Sequence, residues 1–164
     1  MEDFFGSLLF CYHNRMTVHF ICRGNTLRSV IAEAYLKSFG LPGIETMSSG
    51  TVAERYRTQN EPTLATTNAL LAKHGLGMYT KEQADQLTQE RLHETNITIC
   101  MNNIVYEEGK EIVTFPKKTR IWDIVDAGES GRLIGPRDNH SKYDEAIHAD
   151  ITRKVDALVR ELGF

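Results

Sequence analysis

An almost unbroken apolar run, Thr17 to Ile21, leads straight into Cys22; after Arg23-Gly24-Asn25-Thr26-Leu27 a helical pattern starts at Arg28. A strand apolar on both faces has to be covered on both, the situation of a parallel sheet with helices on either side. The link between strand and helix is short enough to force a tight loop. It also sets the N-terminus of the helix beside the C-terminal end of the strand.

The rest of the chain repeats this alternation. The first helix carries Ile31, Ala34 and Tyr35 on one face and ends at Gly40, ahead of Pro42. Ile44 to Ser49 reads as a second strand closed by Gly50. A polar, basic loop through Arg55-Tyr56-Arg57 then leads to a helix with Pro62 near its first turn and Gly75 just past its end. Thr80-x-x-Gln83 has capping-box form and opens a third helix to about His93. Ile97 to Met101 is a strand, Ile112 to Phe115 a short extended segment, and Arg120 to Ile124 the fourth main strand. Finally, Tyr143, Ile147, Ile151, Val155, Leu158 and Leu162 fall on one stripe of a helix over Ser141 to Leu162. Alternating strands and helices without repeats imply an α/β, doubly wound domain whose site lies at the C-terminal ends of the strands, where Cys22 sits.

Composition narrows the class. The 164 residues suffice for one domain, assigned to 16–164, with 1–15 as an N-terminal extension in which Phe4, Phe5, Leu8, Leu9, Phe10 and Tyr12 crowd together. Glu2 and Asp3 are acidic where a secretory signal is basic, and the apolar run is too short to span a bilayer. With 19 Lys and Arg scattered among 22 Asp and Glu, a net charge of −3 disfavours nucleic acid, so anions must be drawn by a local field. Three cysteines without a C-x-x-C pair indicate neither disulfides nor zinc, and fit a reducing cytoplasm. The six histidines lack metal-ligand spacing, so no metal or other cofactor is expected.

The strand-to-helix loop carries the chemistry. Amides converging at a helix N-terminus, with the guanidinium of Arg28 beside them, form a site for a tetrahedral oxyanion such as phosphate. A thiol in such a field ionises more readily, and Cys22 at the bottom of a phosphate cradle is a nucleophile aimed at phosphorus. Arg28 offers parallel N–H bonds to two phosphoryl oxygens, which a lysine cannot reproduce. The amides of Arg23, Gly24, Asn25, Thr26, Leu27 and Arg28 supply the other donors; Gly24 and Asn25 tolerate a left-handed backbone, and the Ser29 hydroxyl can bond the sulfur. The competing interpretation makes Cys22 a small buried hydrophobe and Arg28 an ordinary helix-start residue.

The run Cys22-Arg23-Gly24-Asn25-Thr26-Leu27-Arg28-Ser29, followed by Ile31-Ala32-Glu33-Ala34, resembles the low-molecular-weight protein tyrosine phosphatases. The resemblance extends from Thr17 to the C-terminus and includes Ser48-Ser49-Gly50-Thr51, which looks like the family's Ser-Ala-Gly-Thr. It implies a four-stranded parallel sheet flanked by helices on both faces, a Rossmann-like three-layer arrangement with the phosphate loop after strand 1. It also implies a phosphocysteine intermediate, no metal, and a phosphorylated protein or small aryl phosphate as substrate. The family's proton-donating Asp-Pro corresponds to Asp126-Ala127, making Asp126 the general acid with Asp123 in reserve. Arg23 falls where the family's loop faces its substrate, and Tyr56 is the candidate pocket wall. Gly128, Glu129 and Ser130 stand where aromatics often line a phosphotyrosine ring. Leu27 stands where many members have a second cysteine. Two alternatives stay open: a protein arginine phosphatase, and a pseudophosphatase that binds phosphate without turnover. The related thioredoxin-coupled arsenate reductases need two further cysteines near strand three; Cys100 lies there, and nothing from Met101 to Phe115 joins it.

Overall fold

The computed structural model describes residues 15–126 and 140–164. Residues 1–14 of the N-terminal extension, with Cys11 and His13, and Ala127, Gly128, Glu129 and Ser130 lie outside the described residues. Four parallel strands, β1 (Met16–Cys22), β2 (Ile44–Gly50), β3 (Ile97–Cys100) and β4 (Arg120–Ile121), form one sheet in the order β2-β1-β3-β4. The crossovers carry α1 (Arg28–Ser38), α2 (Arg57–Lys73), α3 (Gln89–His93) and α4 (Asn103–Lys110), and α5 (His140–Glu161) follows the sheet.

Alternation along β1 divides the core. Val18, Phe20 and Cys22 join Ile31, Ile147 and Ile151 of α1 and α5 on one face, whereas Ile21 joins Leu92 and Val105 of α3 and α4 on the other. The doubly apolar central strand is thus covered by helices on both faces, and α1 is buried on nearly every side from Arg28 to Ala34. Its partly exposed Tyr35 donates a hydrogen bond to Asp156 of α5 at 2.9 Å.

Four sequence expectations fail locally. The helix expected to begin at the Thr80 capping box is absent; a short 3₁₀ turn spans Gly77–Tyr79 and helix resumes only at Gln89. Backbone groups of the intervening segment bond elsewhere: Asp85 N–H donates to Asn25 Oδ1, Gly50 N–H to the Asp85 carbonyl, and Leu87 N–H to the Gly50 carbonyl. The true cap is Thr88, whose side chain accepts from Arg91 N–H. Ile112 to Phe115 is not a strand; Thr114 bonds through both its backbone groups to the Gln89 amide, and Phe115 stacks on Tyr106. Regular β4 pairing covers only Arg120–Ile121; Trp122 N–H still donates to the Cys100 carbonyl and Ile124 N–H to the Met101 carbonyl, while buried Ile124 turns its own carbonyl to Arg28. Finally, Pro62 lies in the second turn of α2, not its first, since bonds from Tyr56 to Val52 and from Asn60 to Tyr56 start the coil early.

Candidate active site

β1 ends at Cys22 and α1 begins at Arg28, so the five linking residues curl over the end of the sheet. The curl depends on Asn25, the one described non-glycine residue with positive φ (53°). Its side chain holds this conformation in place: Nδ2 donates to Ser29 Oγ at 2.9 Å and Ser48 Oγ at 2.8 Å, and Oδ1 accepts from Asp85 N–H at 2.8 Å. Gly24 does not adopt a left-handed conformation, contrary to the sequence expectation. Its lack of a side chain serves space instead, since a Cβ there would lie 3.1 Å from Asn60 Nδ2.

Cys22 is buried at the floor of a cavity of about 360 Å³. Its sulfur lies 3.0 Å from Ser29 Oγ and accepts from Asn25 N–H at 3.2 Å, the bonds a thiolate needs. Arg28 is 3% exposed; Nη1 donates to the Ile124 carbonyl at 3.1 Å, and Nη2 pairs with Asp126 Oδ2 at 3.0 Å. Burial makes this guanidinium a fixed element of the wall. Of the sequence candidates, Cys22, Arg23, Gly24, Thr26, Leu27, Arg28, Tyr56 and Asp126 all line the cavity. Asn25 and Ser29 lie fully buried beneath it as supports, and the reserve acid Asp123 is exposed and does not line it.

Several residues here escaped sequence reasoning. Asn60 and Thr63 of α2 complete the wall with Val52. Their signal was present, because Tyr56, Asn60 and Thr63 have i, i+4, i+7 spacing and so share one helical face. Beneath the loop, Lys81 Nζ meets Glu33 at 3.2 Å and Asp85 at 2.8 Å, Arg91 also pairs with Asp85, and Ser48 donates to Glu33. Four charges of both signs thus brace the support that Asn25 rests on; pairing of this kind makes partial burial tolerable.

Two titratable groups off the cavity have clear physical states. Burial, helped by the positive charges of Arg91 and Lys81, lowers His19 to about 3, and its neutral ring lies 2.7 Å from Ser49 Oγ. Burial pushes the Cys100 thiol up to about 12. Among the described residues no three His, Cys, Asp or Glu side chains are grouped to hold a metal ion, and no helix is long and apolar enough to cross a membrane.

Comparison with known proteins gives a consistent picture. A family model described as low molecular weight phosphotyrosine protein phosphatase matches residues 17–163. A protein-arginine-phosphatase of Geobacillus stearothermophilus is 30% identical over 149 residues, which is 87% of this chain and 93% of that protein. Among solved structures, YfkJ from Bacillus subtilis matches with a TM-score of 0.67 at 22% identity, over 90% of this chain and 94% of that one. The Drosophila arginine phosphatase DARP matches with a TM-score of 0.64 at 20% identity, over 91% and 99% of the two chains. At such identities the structural likenesses establish the fold.

Proposed function

The chain belongs to the low molecular weight phosphotyrosine protein phosphatase family and is a cysteine-dependent phosphatase, and on that premise we propose that Cys22 is its nucleophile and Asp126 its general acid. The observation that carries this assignment is the cavity floor: one sulfur bonded by Ser29 Oγ and the Asn25 amide, beside the buried guanidinium of Arg28.

The Cys22 thiolate attacks phosphorus in line, forming an S–P bond as the bond to the leaving oxygen breaks. Arg28 and the loop amides stabilise the equatorial oxygens. Asp126 now pairs with Arg28 Nη2, a donor that a phosphoryl oxygen also needs. Substrate therefore displaces Asp126 from the guanidinium toward the leaving group; freed from the cation, its carboxylate takes a proton from solvent and hands it to the leaving oxygen as the bond to phosphorus breaks. In the second half, Asp126 takes a proton from water, the water oxygen attacks phosphorus, the S–P bond breaks and phosphate leaves.

The substrate is a phosphorylated protein, with phosphotyrosine the reading that Tyr56, Val52 and Leu27 support as apolar walls. A second reading, phosphoarginine, is supported by the polar side of the same cavity, Thr26, Asn60 and Thr63, and by the name of the 30% identical relative. Turnover of p-nitrophenyl phosphate by the wild type, with none by Cys22→Ser, tests the chemistry. Comparing kcat/KM on one peptide carrying phosphotyrosine or phosphoarginine tests the substrate. Wild-type-like turnover by the serine variant would exclude the covalent route.

A further inference from the structure

We propose that Arg23, held from behind by Glu108, is a specificity-determining residue that selects substrates with a carboxylate side chain next to the phosphorylated residue. This deepens the phosphatase reading of the same cavity and rests on it.

Arg23 directly follows the nucleophile, lines the cavity and is half exposed. Its guanidinium is nonetheless not loose. Nε donates to Glu108 Oε1 at 2.9 Å, and the other oxygen of Glu108 accepts from Thr51 Oγ1 at 2.9 Å. Thr51 is itself buried and anchored, its N–H donating to the Cys22 carbonyl at 3.1 Å; the adjoining Val52 N–H donates to the Arg23 carbonyl at 3.0 Å. Arg23 is therefore tied to the frame that holds the loop through its backbone carbonyl and its Nε, with Glu108 reaching in from α4.

This arrangement has a chemical consequence. Glu108 offsets the charge of Arg23 at a distance, so the pair adds little field at the scissile phosphate, which Arg28 faces; at hydrogen-bond range the half-exposed guanidinium still presents its own cationic N–H groups. What remains is geometry: Nη1 and Nη2 have no partner among the described residues. Two parallel N–H groups with their rotamer cost already met by Glu108 fit an acceptor with two coplanar oxygens, which is a carboxylate. Across the cavity, Tyr56 is flanked by Arg55 and Arg57, neither of which forms an ion pair among the described residues. A peptide acidic around its phosphorylated residue would meet cations there too.

The test uses two phosphotyrosyl peptides, identical except for Glu or Gln beside the phosphorylated residue, as competitors of p-nitrophenyl phosphate turnover and as substrates. The full chain should favour the Glu peptide about tenfold, the scale of one charge-assisted bidentate contact, with the difference in KM and Ki and not in kcat. The preference should vanish in Arg23→Ala and fail to return in Arg23→Lys. Because it is a ratio, changes in basal turnover cancel. A ratio near one in the wild type, or one unchanged in Arg23→Ala, overturns the proposal and leaves the ion pair a brace for α4. Normal p-nitrophenyl phosphate turnover without an acidic preference sinks this inference alone; absence of any turnover with Cys22 intact sinks the phosphatase reading and the inference with it.

Discussion

Gly50 gives the sharpest test of how the phosphate loop is held. It pairs with Cys22 in the β1–β2 register and is gripped from the other side by Asp85 and Leu87. A Cβ built on it would lie 2.6 Å from the Arg23 carbonyl oxygen and 2.7 Å from the Asn25 nitrogen, both backbone atoms of the loop. Gly50→Ala must therefore open that contact by about 0.8 Å, the gap to ordinary van der Waals separation, by moving the loop or the strand. Overpacking of this kind costs about 1–3 kcal/mol, and a catalytic group misplaced by about 1 Å loses roughly 100-fold in rate. We expect kcat on p-nitrophenyl phosphate to fall about 100-fold and phosphate inhibition to weaken, with a modest drop in the urea midpoint. Gly40→Ala is the control: its φ of 58° strains an alanine, yet nothing lies within 4 Å, so it should lose about 1 kcal/mol of stability and no activity. If Gly50→Ala keeps kcat within about threefold of wild type at the same stability loss, β2 yields instead, and the loop is not pinned by this contact.

The remaining expectations concern the chemistry and the core. Cys22→Ser should abolish turnover and keep measurable vanadate binding, because the amides and Arg28 remain; calorimetry beside steady-state kinetics checks both. Asp126→Asn should slow aryl phosphates with poor leaving groups by about 100-fold or more and good ones far less, while exposed Asp123→Asn does little; the reverse order would move the acid to Asp123. His19 is held neutral in the fold, at about 3 against an ordinary 6.5, so the unfolded chain binds the extra proton. Its stability contribution is complete above pH 6.5 and is lost as pH falls from 6.5 toward 3, by about 1 kcal/mol per unit. Urea titrations at pH 7 and pH 5 should show that slope, and His19→Gln should flatten it. Peroxide inactivation should be reversed by thiols only early, since Leu27 supplies no resolving thiol and buried Cys100 is a poor nucleophile; a Cys22–Cys100 disulfide by mass spectrometry would refute this.

What the sequence made legible divides by range. The β1-loop-α1 unit could be read because its evidence is contiguous: an apolar strand, a short link and a helix whose first residue is Arg28. The stripe of α5 was equally plain, and Ile147 and Ile151 lie in the core where its period puts them. Thr80 and Gln83 misled because a capping box is a local signal, and here the next residues find stronger partners in Asn25 and Gly50. α4 was missed since its buried positions, Val105 and Gly109, amount to one turn of periodicity. With it went Glu108, which only the folded chain brings within bonding distance of Arg23.

That division follows from how the loop is built. Five residues that must leave their amides free for an anion gain little from bonding to one another, so their conformation has to be imposed from outside. Asn25 shows the solution: a left-handed residue whose side chain uses both its amide and its carbonyl to reach Ser29, Ser48 and the Asp85 amide, three points up to 60 residues away from it in sequence. Lys81 and Arg91 in turn hold Asp85, and Glu33 holds Ser48 and Lys81. The motif residues specify what the loop can do to a phosphate; the segment from Lys81 to Arg91 specifies that the loop is in that shape before the phosphate arrives. Asn25→Ala should therefore damage catalysis more than stability, because it releases one loop from three anchors and leaves the hydrophobic core intact. A variant as active as the wild type would mean that the loop amides alone hold the cradle.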